Sequence, residues 1–140
     1  MSHFGAIIAG TGSHVPERRL TNDDLSKMVE TNDEWITQRT GIKERRIAGP
    51  SDTTASLAIT AARKAIDAAG LEPKDIEMIV VATITPEMVF PSTACFVGAG
   101  LGIPGVPGFD LSAACSGFIY ALVTGASFVR SGQYKNVLGI

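Results

Sequence analysis

The chain is poor in the residues that build common sites. Among 140 residues there are two cysteines, two histidines and one tryptophan. Cys95 and Cys115 form no close pair, which excludes a disulfide framework and a thiolate zinc site and suits a reducing, cytoplasmic compartment. His3 and His14 both lie near the start, so no histidine-based metal cluster can be assembled. No apolar run approaches the roughly 20 residues that cross a bilayer. No basic segment leads into a long apolar one, so no secretory signal is expected. A net charge of -2 argues against nucleic acid as the main partner. Gly10-Thr11-Gly12 lacks the further glycine and the helix of a dinucleotide fingerprint. Repeats, low-complexity tracts and linkers are absent too, so residues 1–140 read as one domain. With 45% hydrophobic residues it can bury a real core.

What the chain does have centres on Phe109-Asp110-Leu111-Ser112-Ala113-Ala114-Cys115-Ser116-Gly117-Phe118. This reads as a strand end, a tight turn of small residues, then a helix from Cys115 to about Ser131. A cysteine at a helix start meets unpaired N–H groups, which favour negative charge on sulfur. The small neighbours let a thioester approach closely, as in a nucleophile elbow with sulfur replacing oxygen. The other reading of the same stretch makes Cys115 one more small buried hydrophobe.

Strands and helices alternate along the rest of the chain. Phe4–Ala9 reads as a strand, and Thr21-Asn22-Asp23-Asp24 opens a helix to about Glu30. Thr31 with Glu34 makes a capping box for a short helix that Gly41 stops. Trp35 and Arg39, four apart, share a face of that helix. An indole beside a guanidinium can sandwich a planar base or hold a phosphate, though taken alone an ordinary helix with one packed Trp is the commoner meaning. Arg39, Lys43, Arg45 and Arg46 against Glu44 alone mark a candidate anion site, or a solvated face. His14 reads as a surface or turn residue.

Asp52-Thr53-Thr54 begins a helix with a small-residue face, Ala58, Ala61, Ala62, Ala65, Ile66 and Ala69, which Gly70 ends. Met78–Ala82 is apolar throughout, as a strand buried on both faces of a parallel sheet is. After a loop over Thr85–Pro91, Pro91-Ser92-Thr93 opens a helix through Cys95, which reads as buried and structural. Val106–Leu111 holds the next strand. The helix from Cys115 has little polar face and reads as buried and central. Gly132 stops it, and Asn136–Ile140 starts another buried strand. The fold class is α/β with a mostly parallel sheet.

With these segments in place, the sequence resembles the first half of the 3-oxoacyl-[acyl-carrier-protein] synthase III family. The resemblance is carried by Gly10-Thr11-Gly12, Thr31-x-Asp33-Glu34-Trp35-Ile36-x-x-Arg39-Thr40-Gly41-Ile42, Ile79-Val80-Val81-Ala82-Thr83, Phe90-Pro91-Ser92 and Asp110–Phe118. It implies a thiolase-like fold of two similar halves, each a mixed five-stranded sheet with helices. It implies that Cys115 takes an acyl group from acyl-coenzyme A, which then condenses with malonyl-acyl carrier protein to start fatty-acid synthesis. It also implies that Trp35 and Arg39 hold the adenine end of coenzyme A, with Thr31 nearby, which reverses the bland reading of that pair. The Phe90 loop resembles the segment that reaches a partner subunit and helps wall its acyl pocket, so a homodimer is implied. Coenzyme A is substrate, and no cofactor is implied. The family's catalytic histidine and asparagine belong to the second half, and His3 and His14 match neither motif. The 140 residues alone are therefore expected to be inactive and to expose an apolar patch. A related condensing enzyme of secondary metabolism, or an inactive half that only binds a partner chain, are the alternatives.

Overall fold

A computed structural model describes residues 5–140. The chain divides into two compact units, Val15–Asp52 and a larger one made of the segment ending at His14 together with Thr53–Ile140.

The smaller unit contains, in order, β1 (Arg19–Thr21), α1 (Asn22–Ser26), α2 (Asp33–Thr40) and β2 (Glu44–Arg46). β1 and β2 pair antiparallel, with Thr21 opposite Glu44. Their hub is Asn22, a buried amide. Its Nδ2 donates to Asp33 Oδ1 at 2.8 Å and to the Ile42 carbonyl at 2.7 Å, and its Oδ1 accepts from Arg45. A buried amide this well matched holds a small unit that has little apolar core of its own. Arg46 donates to the Pro16 carbonyl at 3.1 Å, so Arg45 and Arg46 of the basic run are structural.

Two local expectations are corrected here. α1 ends at Ser26, short of Glu30, because Met28 and Val29 are exposed and give a longer helix nothing to pack on. The cap of α2 is Asn32, one residue later than Thr31. The Asn32 side chain accepts from the Trp35 amide at 2.7 Å, and Glu34 bonds Gln38 instead of closing a box. Gly41 stops α2 in the left-handed conformation, as its position suggested.

The larger unit adds α3 (Thr54–Ala68), β3 (Met78–Ala82), α4 (Thr93–Leu101), β4 (Gly108–Leu111), α5 (Gly117–Arg130) and β5 (Val137–Gly139). The sheet order is β4-β3-β5, all parallel, with Ala82 opposite Leu111 and Val80 opposite Gly139. β3 is central because both its faces are apolar. Ile79 and Val81 pack with Ala58, Ala62 and Ile66 of α3 and Ala94, Val97 and Leu101 of α4. Met78 and Val80 pack on the other side with Ala121 and Phe128 of α5. The result is three layers, helices on both faces of a parallel sheet.

Two further expectations are overturned in this unit. Residues 5–9 form no strand, and Phe4 lies outside the described residues. Ile7 is 88% exposed, and among the described residues no strand pairs with this segment. What anchors this segment is glycine. A Cβ on Gly10 would lie 2.3 Å from the Ala65 carbonyl oxygen, and one on Gly12 2.3 Å from that of Ala61. The segment thus lies directly on the small-residue face of α3, a contact only glycine permits. α5 is buried on one side only. Gly117, Ala121 and Gly125, four apart, face the sheet, while Phe118, Ile119, Tyr120 and Val123 are exposed.

Candidate active site

Cys115 stands where a strand hands over to a helix. β4 ends at Leu111, a single 3₁₀ turn covers Ala114–Ser116, and α5 begins at Gly117. Ala114 has a φ of 45°, the one positive value at a non-glycine residue among the described residues. An L-residue held there stores on the order of 1–3 kcal/mol of strain, and such strain concentrates at functional turns. The turn is held because Gly117 packs against Ala82. A Cβ at Gly117 would lie 3.1 Å from that of Ala82. Cys115 is exposed, as the nucleophile reading requires and the buried-hydrophobe reading does not.

Topology places a second segment beside this turn. β3 and β4 are parallel neighbours, so the loops leaving Ala82 and Leu111 emerge at the same carboxyl edge of the sheet. That edge is where open parallel sheets place their ligands. The loop after β3 runs over residues 83–92 and carries Ile84, Met88, Val89 and Phe90 into solvent, Val89 at 96% and Phe90 at 84% exposure. Cys115 and Phe90 therefore lie on loops of one edge.

Two carboxylates brace this edge, and the sequence alone assigns a role to neither. Asp110, on β4, accepts from the Thr93 amide at 2.7 Å and the Ala94 amide at 2.9 Å, capping α4 from a distant strand. Ser92, the residue in the local cap position, makes no side-chain cap. Glu87 accepts from the Ala55 amide at 2.5 Å and the Thr93 hydroxyl at 3.5 Å. Burial pushes the Glu87 carboxyl up, but bonds from the Ala55 amide, its own amide and the Thr53 and Thr93 hydroxyls outweigh it, so its pKa lies below the ordinary value. A carboxylate inside an apolar strand such as Phe109-Asp110-Leu111 was a readable sign, since it needs a partner. Cys95, expected to be buried, is exposed on the first turn of α4, with its sulfur 3.3 Å from the Ser92 hydroxyl. The four-residue apolar run around it puts its neighbours Ala94 and Val97 inward and Cys95 outward.

The smaller unit brings Thr31, Trp35 and Arg39 together. Trp35 is 53% exposed, and the Arg39 guanidinium carbon lies 4.7 Å from the centre of the indole. A shallow depression of about 230 Å³ opens beside them, lined by Glu30, Thr31, Asn32 and Trp35. The Thr31 hydroxyl oxygen is buried there without a hydrogen-bond partner. A buried unpartnered hydroxyl at the rim of a depression is a polar group without its complement. No cluster of metal-binding side chains occurs among the described residues.

Known proteins resemble this chain over nearly its whole length. The family model described as 3-oxoacyl-[acyl-carrier-protein (ACP)] synthase III matches residues 109–140, which include Cys115. A beta-ketoacyl-[acyl-carrier-protein] synthase III from Caldanaerobacter subterraneus is 59% identical over 98% of this chain and 41% of its own length. The crystal structure of 3-oxoacyl-[acyl-carrier-protein] synthase III from Aquifex aeolicus superposes with a TM-score of 0.90 at 55% identity, over 93% of this chain and 42% of that one. A priming beta-ketosynthase from a polyketide biosynthetic pathway superposes with a TM-score of 0.90 at 37% identity, over 94% and 40% of the two chains. The chain thus spans about two-fifths of the length of the curated relatives it matches. Along that two-fifths, the chain is similar in sequence and in its thiolase-like fold to members of the 3-oxoacyl-[acyl-carrier-protein] synthase III family.

Proposed function

We propose that this chain supplies the nucleophile and part of the coenzyme A site of a condensing enzyme that starts fatty-acid synthesis. The observation that carries the reading is Cys115, exposed on a strained turn at the carboxyl edge of a parallel sheet, inside the segment matched by the family model. The Cys115 thiolate attacks the carbonyl of an acyl-coenzyme A, such as acetyl-coenzyme A, and coenzyme A thiolate leaves with a proton. Malonyl-acyl carrier protein then loses carbon dioxide. The carbanion so formed attacks the acyl-cysteine carbonyl, the Cys115 thiolate departs, and 3-oxoacyl-carrier protein is released. Oxyanions form in both transfers, and a backbone N–H at the Cys115 turn can donate to them. In this reading the family's histidine and asparagine, which match neither His3 nor His14, supply the remaining donors.

Trp35, Arg39 and Thr31 take the adenine end of coenzyme A in this scheme. Because the Arg39 guanidinium already covers the indole at 4.7 Å, a base cannot slip between them as they stand. Arg39 has to swing outward to complete a sandwich, or give up its place on the indole. The Thr31 hydroxyl then gains a partner in the base or its ribose. The protein works as a homodimer in the cytoplasm, with the Phe90 loop walling an acyl pocket.

The test is acylation. The protein in the full length its gene encodes is incubated with acyl-coenzyme A, and the adduct is mapped by peptide mass spectrometry. Both thiols are exposed, so the experiment discriminates between them. An adduct on Cys115 that Cys115→Ser abolishes supports the reading; an adduct on Cys95 with Cys115 free overturns it. The similarity to a polyketide priming ketosynthase favours one second reading, a condensing enzyme of secondary metabolism. It predicts that an acceptor other than malonyl-acyl carrier protein discharges the acyl-cysteine faster.

A further inference from the structure

The loop that carries Met88, Val89 and Phe90 holds three apolar side chains in water. Within this chain little packs over them, and apolar loop tips do not hold a position by themselves. This one is tied down at its middle. The Thr54 hydroxyl donates to the Thr85 carbonyl at 2.6 Å, and Glu87 accepts from the Ala55 amide and the Thr93 hydroxyl. Thr93 is fully buried, so its hydroxyl is a fixed point. The Glu87 carboxylate thus sits at the positive ends of two helices, α3 with 15 residues and α4 with nine.

Neither helix depends on Glu87 for its start. α3 has its own capping box, Thr53 with Ser56, and the first two amides of α4 are taken by Asp110. What Glu87 adds is the attachment of the loop to both helices, three residues before Phe90. We propose that Glu87 is a positioning residue: its double attachment to the starts of α3 and α4 sets where Phe90 and its apolar neighbours stand, and through them which acyl chains the enzyme accepts. The second half of that statement rests on the reading of Phe90 given above; the first half does not.

The experiment has two arms, run on the full-length protein as wild type, Glu87→Ala, Glu87→Gln and Phe90→Ala. The first arm measures amide hydrogen exchange. Glu87→Ala is expected to speed exchange over residues 84–90 and at Ala55 by about tenfold or more, leaving β3 and α5 unchanged, with Glu87→Gln between it and wild type because an amide oxygen still accepts from Ala55. Unchanged exchange in the loop, or an equal rise throughout the protein, overturns the positioning role. The second arm compares kcat/KM for acetyl-coenzyme A with that for a longer acyl-coenzyme A. Glu87→Ala is expected to move this ratio in the same direction as Phe90→Ala, with Glu87→Gln restoring part of it and the rate of Cys115 alkylation by iodoacetamide unaltered. A ratio moved by Phe90→Ala but not by Glu87→Ala refutes the specificity role of Glu87. A ratio that Phe90→Ala leaves untouched refutes the reading of Phe90 instead, and the exchange arm still decides whether Glu87 places the loop.

Discussion

Replacing Asp110 by Ala tests whether a strand carboxylate holds the reactive edge together. The side chain accepts from two backbone amides, those of Thr93 at 2.7 Å and Ala94 at 2.9 Å. A hydrogen bond to a charged group is worth about 1.5–3 kcal/mol, and losing an N-terminal cap costs about 0.5–2 kcal/mol. Ser92 provides no side-chain substitute, and Thr93 is fully buried, so water cannot easily replace the lost acceptor. The two bonds share one carboxylate and are not additive, which puts the cost at about 3 kcal/mol. At about 1.4 kcal/mol per decade, amides of α4 should exchange roughly 100-fold faster by hydrogen–deuterium exchange. Asp110→Asn keeps one acceptor oxygen without the charge and should lose about half as much. Because β4 runs directly into the Cys115 turn, alkylation of Cys115 should slow in Asp110→Ala as the turn loosens. An effect on α4 exchange below about threefold would show that water or a shifted Ser92 caps the helix as well as Asp110 does, and the bracing argument would fail.

Arg39→Ala should raise the KM for acyl-coenzyme A by about tenfold, within the 1–3 kcal/mol of a charged contact, and leave kcat nearly unchanged; steady-state kinetics with the converse pattern would place Arg39 in the chemistry. Gly12→Ala should destabilise the larger unit by about 1–3 kcal/mol or more, since its Cβ would stand 2.3 Å from the backbone of α3 at Ala61, whereas a free Gly12→Ala protein with unchanged denaturant midpoint would mean that the segment lifts off α3 without cost. The Asp24 carboxyl is held down to about 2, first by the Thr21 hydroxyl and then by Lys27 and the Thr21 amide. Its folded pKa lies below the unfolded one, so the stabilisation it carries is present above the unfolded value and disappears as pH falls through the folded value. A carboxyl NMR titration of Thr21→Val should bring Asp24 back up toward the ordinary carboxylate range, and no movement would assign the shift to Lys27 and the residue 21 amide.

Local chemistry in the sequence determined much of this protein. Apolar residues on both faces of Met78–Ala82 can be satisfied only inside a parallel sheet, and they are. The Thr53 cap, the Gly41 and Gly132 stops and the strand-to-helix setting of Cys115 depend on neighbours within a few residues, so spacing reveals them. The stack of Arg39 on Trp35 follows from one turn of helix. What only the tertiary structure decided involves residues far apart in the chain. Cys95 and Val97 have the same apolar surroundings in sequence, yet the sheet lies on one side of α4 and leaves Cys95 outside. α5 looks buried all round because nearly every residue is apolar, but one sheet covers one face, and Phe118, Ile119, Tyr120 and Val123 remain in solvent. Residues 5–9 have a strand's composition and no strand, since pairing is a property of two segments. Nothing local tells which helices Glu87 and Asp110 reach, because the amides they hold lie 32 and 16–17 residues away. A carboxylate reaches the start of a distant helix only after the sheet has brought the two together, and that step is written in the packing.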